Sequence, residues 1–341
     1  MPHHLALHKM SAEFKNEMGY RYRAVKKDFP VLEGMSFNKL VIQPGAFREP
    51  HWHPNADELG YCLKGSVIVT LYASRNQKES FLVSEGEVYL IPSGAFHSLE
   101  NVGSGVAEIL AQFSHEDPED FELSAVFTGF SNSVLGNTWD VSSDHFKDLK
   151  KNTRGVIFGS TGKPSSLPKD SKYASLYRFR LQESFPIFHK EGGKAKAARQ
   201  NVWPILERQA VYSLLISETG MREPHWHPKT AELGYLVEGR VRMTILSPDG
   251  SICTYILEPG DIYFIPKAYP HHIENLSCSD SKMVLFFDQA MPQDIGFTAT
   301  LKAFPEEIIA GALHCKKEVI TSLPTYFENL LIVNKRNPLD P

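Results

Sequence analysis

The sequence contains few cysteines and no long apolar run. Only four of its 341 residues are cysteines, and none forms a CxxC pair: Cys62, Cys253, Cys278 and Cys315. In a chain of this length such cysteines favour reduced thiols in a cytoplasmic protein over a disulfide framework. No window of about 18 residues is uninterruptedly apolar, which argues against a transmembrane span. The first ten residues include three histidines and lack the apolar core of a secretory signal.

An excess of charge of either sign is also lacking. The formal net charge is -4, from 36 Lys and Arg against 40 Asp and Glu. This balance gives no broad basic surface for nucleic acid or for an acidic membrane. The basic run from Lys147 to Arg154 is short and mixed with polar residues, as expected of a solvated loop or helix end. Neither nucleic acid nor a membrane is therefore an expected partner.

The strongest signal is an internal repeat. The phrase Arg-Glu-Pro-His-Trp-His-Pro stands at residues 48–54 and again at 222–228, an offset of 222 − 48 = 174. The same offset relates further pairs without insertion or deletion: Glu58 and Glu232, His97 and His271, Asn101 and Asn275. The chain is therefore a tandem duplication, and its length suits about two domains.

The residues between these repeated positions have the composition and alternation of short β-strands. Residues 66–73 are rich in β-branched and aromatic types, and residues 240–246 alternate polar and apolar. Frequent Gly, Pro, Asn and Asp turns separate such runs, which is typical of an all-β sandwich or closed barrel. Amphipathic segments follow each barrel, at 118–134 and 305–313, and predict short helices there.

Composition suggests where the domains begin and end. We predict an N-terminal arm over 1–28, a first barrel over 29–151, a linker over 152–172 and a second barrel over 173–341. The linker is rich in Gly, Ser, Pro and Lys. Residues 191–199, with two glycines and two lysines, predict a further exposed loop.

The repeated positions carry metal-ligand side chains. His51 and His53 are two residues apart, so on a strand both imidazoles point to the same face. Glu58 follows after a short turn, and His97 arrives on a later strand. The second copy repeats the set as His225, His227, Glu232 and His271. Two complete sets in register predict two metal ions per chain.

Three imidazoles and one carboxylate suit Mn(II) or Fe(II), with Zn, Ni, Co or Cu as competitors. Four protein ligands on an octahedral ion leave two open positions. Open positions admit a substrate or dioxygen, so the site is not of the closed structural kind.

The arrangement resembles the cupin superfamily at both of its motifs. The first motif reads Gly45, His51, His53, Glu58, Gly65, and the second reads Gly86, Pro92, Gly94, His97, Asn101; the second copy departs once, at Ala268. From about residue 20 onward the chain looks most like the oxalate decarboxylase branch of bicupins. The resemblance implies two jelly-roll (double-stranded β-helix) barrels, Mn(II), a homo-oligomer, and redox-neutral cleavage of oxalate to formate and carbon dioxide, with dioxygen as a helper.

The resemblance also implies that Arg48 and Arg222 polarise the substrate. An odd offset from His51 would turn Arg48 away on a regular strand, but the intervening Pro50 favours a bend. Mn(II) less one carboxylate ligand, together with one Arg, balances a dianion such as oxalate.

The proton donor is less clearly marked. The family carries it in a Ser-Glu-Asn-Ser-Thr type phrase after the first barrel, which this chain lacks. The corresponding residues 114–121 offer several acids, of which Glu119 and then Glu116 are the candidates. A structural alternative is that these acids favour the N-terminus of the following helix. In the second copy residues 283–287 contain no carboxylate, so that site is expected to bind metal without turnover.

Two other functions stay open. One is oxalate oxidation, or another Fe- or Mn-dependent reaction with dioxygen, which loss of the proton-donating phrase favours. The other is a metal- or ligand-binding bicupin without turnover, although such a role does not require eight ligands. Formate, peroxide or neither, formed from oxalate and Mn(II) under air, would separate the three.

Overall fold

The computed structural model describes residues 2–73, 78–152, 154–163, 165 and 175–338. The chain divides into two compact units. The first barrel comprises residues 11–28 and 34–180, and the second barrel comprises residues 1–10, 29–33 and 181–341. No described helix is long and apolar enough to cross a membrane.

The described elements are short strands with a few short helices. In chain order the strands are β1 (His4–Leu5), β2 (Phe14–Asn16), β3 (Gly19–Ala24), β4 (Ser36–Ile42), β5 (Ala46–Trp52), β6 (Glu58–Lys64), β7 (Ser66–Tyr72), β8 (Lys78–Ser84), β9 (Val88–Ile91), β10 (Phe96–Asn101), β11 (Ala107–Phe113), β12 (Phe121–Glu122), β13 (Phe158–Ser160), β14 (Arg178–Phe179), β15 (Phe188–Lys190), β16 (Gly193–Ala198), β17 (Ala210–Ile216), β18 (Gly220–Trp226), β19 (Glu232–Glu238), β20 (Val241–Leu246), β21 (Ile252–Leu257), β22 (Ile262–Ile265), β23 (His271–Asn275), β24 (Ser281–Phe287), β25 (Ile295–Gly296) and β26 (Ile332–Asn334). The helices are α1 (Leu123–Gly129), α2 (Asn132–Trp139), α3 (Phe297–Thr300), α4 (Glu306–Ala312) and α5 (Lys317–Thr321).

The first barrel consists of two antiparallel sheets. One has the order β14-β9-β6-β11-β4-β3-β2, and the other has the order β12-β5-β10-β7-β8, with β13 also paired to β5. Alternation along the strands fills the space between them, since Val67, Val69 and Leu71 of β7 are all buried in one apolar cluster. The predicted all-β class and the helices after the barrels are confirmed.

The second barrel repeats this plan. Its sheets have the orders β1-β22-β19-β24-β17-β16-β15 and β21-β20-β23-β18-β25, with β26 paired to β18. The 174-residue offset extends along the whole described chain, relating β2 to β15 at one end and β13 to β26 at the other. The offset also relates β1, at the start of the first repeat, to β14, at the start of the second. However, β1 pairs with β22 of the second barrel, and β14 pairs with β9 of the first barrel. The first strand of each repeat therefore covers a sheet edge of the barrel that the other repeat forms.

The two units divide the chain differently from the predicted boundaries. Residues 1–10 of the predicted arm belong to the second barrel, and residues 11–28 supply β2 and β3 of the first. The predicted linker contains β13, although its residues 153, 164 and 166–172 lie outside the described part. The predicted loop at 191–199 is largely strand β16, because backbone pairing with β17 outweighs the weak strand preference of Gly, Lys and Ala.

Candidate metal centres

All four predicted ligands of the first barrel converge on one point. His51 lies in β5, His53 follows its last residue, Glu58 begins β6, and His97 lies in β10 opposite His51. Each is buried, and their ligand atoms lie within 4.8 Å of one another. Glu58 Oε2 is 3.0 Å from His53 Nε2 and 3.5 Å from His97 Nε2.

The second barrel gathers its four ligands in the same way. His225, His227, Glu232 and His271 are buried, with ligand atoms again within 4.8 Å. Glu232 Oε2 is 2.9 Å from His227 Nε2 and 3.9 Å from His271 Nε2. The ring centroids of His225 and His271 are 4.1 Å apart, the same separation as between His51 and His97.

Hydrogen bonds outside the cluster orient the ligands of the first barrel. His51 Nδ1 donates to the Glu49 carbonyl at 2.7 Å, and His97 Nδ1 donates to the Ala95 carbonyl at 2.9 Å. A proton on Nδ1 leaves the Nε2 lone pair free for a metal. The Tyr89 hydroxyl donates to Glu58 Oε1 at 2.6 Å, which leaves Oε2 for the centre.

The second barrel repeats these contacts. Its histidine Nδ1 atoms donate to the carbonyls of Glu223 and Tyr269, at 2.7 and 2.9 Å. The Tyr263 hydroxyl donates to Glu232 Oε1 at 2.5 Å.

The donor set fits a divalent cation. The Nε2 atoms of His97 and His271 are fully buried, and neither has a hydrogen-bond partner among the described residues. A buried polar atom without a partner is costly unless something else binds it. Ligands at about 2.1 Å from an octahedral ion stand roughly 3.0 Å apart when adjacent, as His53 and Glu58 do here. Three imidazoles and one carboxylate match Mn(II) or Fe(II) chemistry.

The electrostatics of the cluster also suit a cation. Burial, aided by Arg48, lowers the pKa of His51 well below its usual value, so its imidazole is neutral. Burial also opposes a charge on His53, but hydrogen bonds to Asp120 and Glu58 outweigh it and raise its pKa to about 9. Burial opposes a charge on Glu58, but its hydrogen bond with His53 and the nearby His97 outweigh this and keep the pKa of Glu58 well below its usual value. A metal therefore meets an ionised carboxylate and has one proton to displace, from His53.

A β-bulge turns Arg48 toward the centre. His97 of β10 pairs with His51 of β5, and Leu99 of β10 pairs with Arg48 of β5. An advance of two residues along β10 therefore matches an advance of three residues along β5. The extra residue restores Arg48 to the inward face, where it is 2% exposed. Pro50 lies inside the bulge. Arg222 is turned inward by an equivalent bulge opposite β23.

Two carboxylates hold Arg48. Glu122 accepts from both Nη1 and Nη2, each at 2.6 Å, which is a bidentate pair. Asp120 Oδ2 lies 3.6 Å from Nη2, while Asp120 Oδ1 lies 2.8 Å from His53 Nδ1. In the second barrel Arg222 donates to Asp294 at 2.6 Å and to the Leu331 carbonyl at 2.8 Å. The counterpart of Glu122 there is Gly296.

The predicted proton donors lie elsewhere. The Glu116 carboxylate accepts from the Gly34 amide at 3.0 Å and lies 3.9 Å from Lys26 Nζ. The Glu119 side chain is exposed, and only its backbone carbonyl reaches the site, accepting from His53 Nδ1 at 3.2 Å. Their catalytic role stays a prediction, and the carboxylates that lie at Arg48 are those of Asp120 and Glu122.

Sequence reasoning counted Asp120 among the acids of residues 114–121 but ranked Glu119 and Glu116 above it, and it did not identify Asp294 or Glu122. Asp120 and Asp294 obey the 174 offset, so the repeat could have marked them as a pair facing the site. Asp294 also supplies a carboxylate to the second barrel, outside the run 283–287. Glu122 has no acidic counterpart, and no repeat signal distinguishes it.

Two β-barrels in one chain, each with three histidines and a glutamate around one point, define a two-domain metal-binding barrel protein. The Cupin family matches the chain over residues 5–147 and 179–321. The chain therefore belongs to the cupin family, as a bicupin of the oxalate decarboxylase-like kind.

Individual relatives support this placement. The chain is 27% identical to the oxalate decarboxylase OxdC of Bacillus subtilis over 309 residues, 88% of this chain and 79% of that protein. A solved structure of the B. subtilis enzyme, from work on its Mn(II) centres, matches with a TM-score of 0.87 and 25% identity over 98% of this chain and 89% of the other. Oxalate oxidase of Triticum aestivum matches only 25% of this chain and 39% of its own length, at 36% identity.

Proposed function

We propose that this bicupin is a Mn(II)-dependent carboxy-lyase that converts oxalate and one proton to formate and carbon dioxide in its first barrel. The observation that carries the proposal is the bidentate contact between buried Arg48 and Glu122, beside the metal ligands. Arg48 is thus already arranged to hold a carboxylate in the two-point geometry that an oxalate carboxylate requires.

His51, His53, Glu58 and His97 would hold the metal. A bound Mn(II) ion supplies a Lewis acid for one carboxylate and an electron acceptor and donor for the carbon–carbon cleavage. The protein contributes an enclosed site with Arg48 at one side, which fixes the second carboxylate and stabilises charge that develops on its oxygens.

Glu122 is proposed as the proton donor. Oxalate can occupy Arg48 only if it displaces the Glu122 carboxylate. In its protonated form Glu122 would supply the proton that formate gains when the carbon–carbon bond breaks.

An oxidase is the second candidate. The two carboxylates that contact Arg48 are both ion-paired: Glu122 to Arg48, and Asp120 to Arg21 and His53. If Glu122 does not donate a proton after oxalate displaces it, the product is not protonated and oxidation by dioxygen is favoured, yielding peroxide. Binding without turnover is the remaining alternative, and it predicts neither product.

The test is product analysis of the Mn(II)-loaded full-length protein with oxalate under air. We expect formate in the wild type and roughly a 10²- to 10³-fold lower rate of formate formation in Glu122→Gln, because a general acid contributes about that much. Peroxide as the main wild-type product would establish the oxidase, and neither product would establish a binding role.

Glu119→Gln and Glu116→Gln are matched controls, since neither side chain approaches Arg48. We expect both to keep wild-type formate formation. If Glu119→Gln loses activity while Glu122→Gln keeps it, the donor is Glu119, as the sequence first suggested.

We also propose a homo-oligomer. Three apolar side chains of the segment after the first barrel are about half exposed to solvent: Phe130, Val134 and Trp139. Burying such a patch against another copy is favourable. Light scattering on the purified protein tests this, and a monomer at micromolar concentration would contradict it.

A further inference from the structure

A cavity in the second barrel joins the metal site to apolar side chains. Arg222, His227, Glu232 and Asp294 line one part of it. The remainder is mainly aliphatic and aromatic, and includes Ile187, Ala195, Leu214, Leu285, Phe287 and Ile332. A largely apolar cavity with a few convergent polar groups is the usual form of a small-molecule site.

The first barrel fills the matching space with charge. At the 174 offset Ile187 corresponds to Glu13, and Ala195 corresponds to Arg21. Arg21 is buried, with Nε 2.8 Å from Glu13 Oε2 and Nη1 2.8 Å from Asp120 Oδ2. The second barrel has no side chain of that length at this position, because Ala195 ends at Cβ. The two metal sites therefore present different volumes and different chemistry to a ligand.

The charged groups that line the cavity suit a ligand with one negative charge. Arg222, Glu232 and Asp294 together carry a net charge of −1, and a divalent ion changes this to +1. Arg222 is held by one carboxylate rather than by a bidentate glutamate and an aspartate, as Arg48 is. A second carboxylate on the ligand would enter the apolar part of the cavity without a cation, which is costly.

We propose that the second barrel binds a small monocarboxylate with a short aliphatic chain, its carboxylate between the metal and Arg222 and its chain against Ala195, Leu214 and Leu285. This inference rests on the proposed metal loading but not on oxalate turnover. The two barrels then serve different ligands, a dicarboxylate in the first and an aliphatic monocarboxylate in the second.

The experiment uses the full-length protein loaded with Mn(II) and three probes: acetate, butyrate and succinate. Binding is followed by the paramagnetic relaxation that bound Mn(II) imposes on the probe protons. Each buried methylene should tighten binding about fourfold, so butyrate should bind roughly 15-fold more tightly than acetate. Succinate, which matches butyrate in length but ends in a second carboxylate, should bind at least about tenfold more weakly than butyrate.

Two ligand variants locate the site. Glu232→Gln, which weakens metal binding in the second barrel, should abolish the Mn(II)-induced relaxation of the butyrate protons (the butyrate effect). Glu58→Gln, which weakens metal binding in the first, should leave it in place while formate production is lost. Failure of this inference and failure of the proposed function are thereby separated, since one concerns butyrate and the other oxalate.

A cavity variant tests the chemistry. Ala195→Met places a longer apolar side chain in the cavity. It should weaken the binding of butyrate at least about tenfold and leave the binding of acetate little changed. Lys194→Met introduces the same residue on the exposed face of β16 and should change neither. Equal affinity for acetate and butyrate in the wild type, or a butyrate effect that survives Glu232→Gln, would overturn the inference without reliance on the cavity variant.

Discussion

The first and second barrels hold their metal ligands alike and differ in the residues around them. In both, a β-bulge turns an arginine inward, and a tyrosine binds the ligating glutamate. Around that shared centre the first barrel carries Glu13, Arg21 and Glu122, where the second carries Ile187, Ala195 and Gly296. The ligands are fixed by strand register, whereas the surrounding positions can change without loss of the centre.

One difference between the barrels involves two positions that contact each other. In the first barrel Glu122 is large and Gly155 is small, and a Cβ on Gly155 would lie 2.3 Å from Glu122 Cγ. In the second barrel the sizes are exchanged, since Gly296 stands opposite Asn329, whose Oδ1 would lie 2.9 Å from a Cβ on Gly296. The space for the Arg48–Glu122 pair is therefore made by a glycine 33 residues further along the chain (155 − 122).

The largest expected effect tests whether the two centres are independent. Glu58→Gln removes the only anionic ligand of the first centre and should lower its metal affinity by more than roughly 100-fold, leaving one ion per chain. Glu232→Gln should do the same in the second barrel. Metal analysis after dialysis measures both, and only Glu58→Gln should stop formate production. Loss of both ions from either variant would contradict independent sites.

Next in size is the effect of the inward arginines on oxalate. Arg48→Lys keeps the charge but loses two-point binding of a carboxylate, so kcat/KM for oxalate should fall roughly 10²- to 10³-fold. Arg222→Lys should change it by no more than about threefold. Steady-state formate production decides between them. An equal loss in both variants would show that both barrels turn over oxalate.

The exchanged sizes predict a smaller effect, on stability. Gly155→Ala pushes a methyl group into the Glu122 side chain and should lower the free energy of unfolding by about 1–3 kcal/mol, as overpacking does. Gly129→Ala is the matched control, because a Cβ there meets nothing within 4 Å. Denaturant unfolding measures both variants. A neutral Gly155→Ala would mean that Glu122 can leave Arg48 without cost.

The smallest expected effect is the release of protons when metal binds, and it should be equal in the two barrels. Hydrogen bonds to carboxylates outweigh burial and raise the pKa of His53 and His227 to about 9, above the usual 6.5. In metal-free protein this raised pKa stabilises the fold below pH 6.5, and the stabilisation is lost as pH rises through 9. Metal binding near pH 7 should therefore release one proton per barrel, and none above about pH 9. Calorimetry in buffers of different ionisation enthalpy measures this, and identical heats in all buffers would refute it.

The repeat allowed the centres to be predicted in advance. The 174 offset identified all eight ligands, and the spacing of His51 and His53 placed them on one strand face. It did not predict that β1 and β14 would each pair in the other barrel, because edge pairing at this distance leaves no local pattern. Residues 191–199 showed the same limit, since Gly, Lys and Ala form β16 only when β17 lies beside them.

The sequence alone determined the duplication, the all-β class and the eight ligands, because these depend on residue type and spacing along single strands. Only the tertiary structure decided which carboxylates meet Arg48 and Arg222, and which centre has apolar space beside it. Arg48 meets Glu122 across 74 residues of chain and Arg21 meets Asp120 across 99, and such contacts are set by packing rather than by any local pattern.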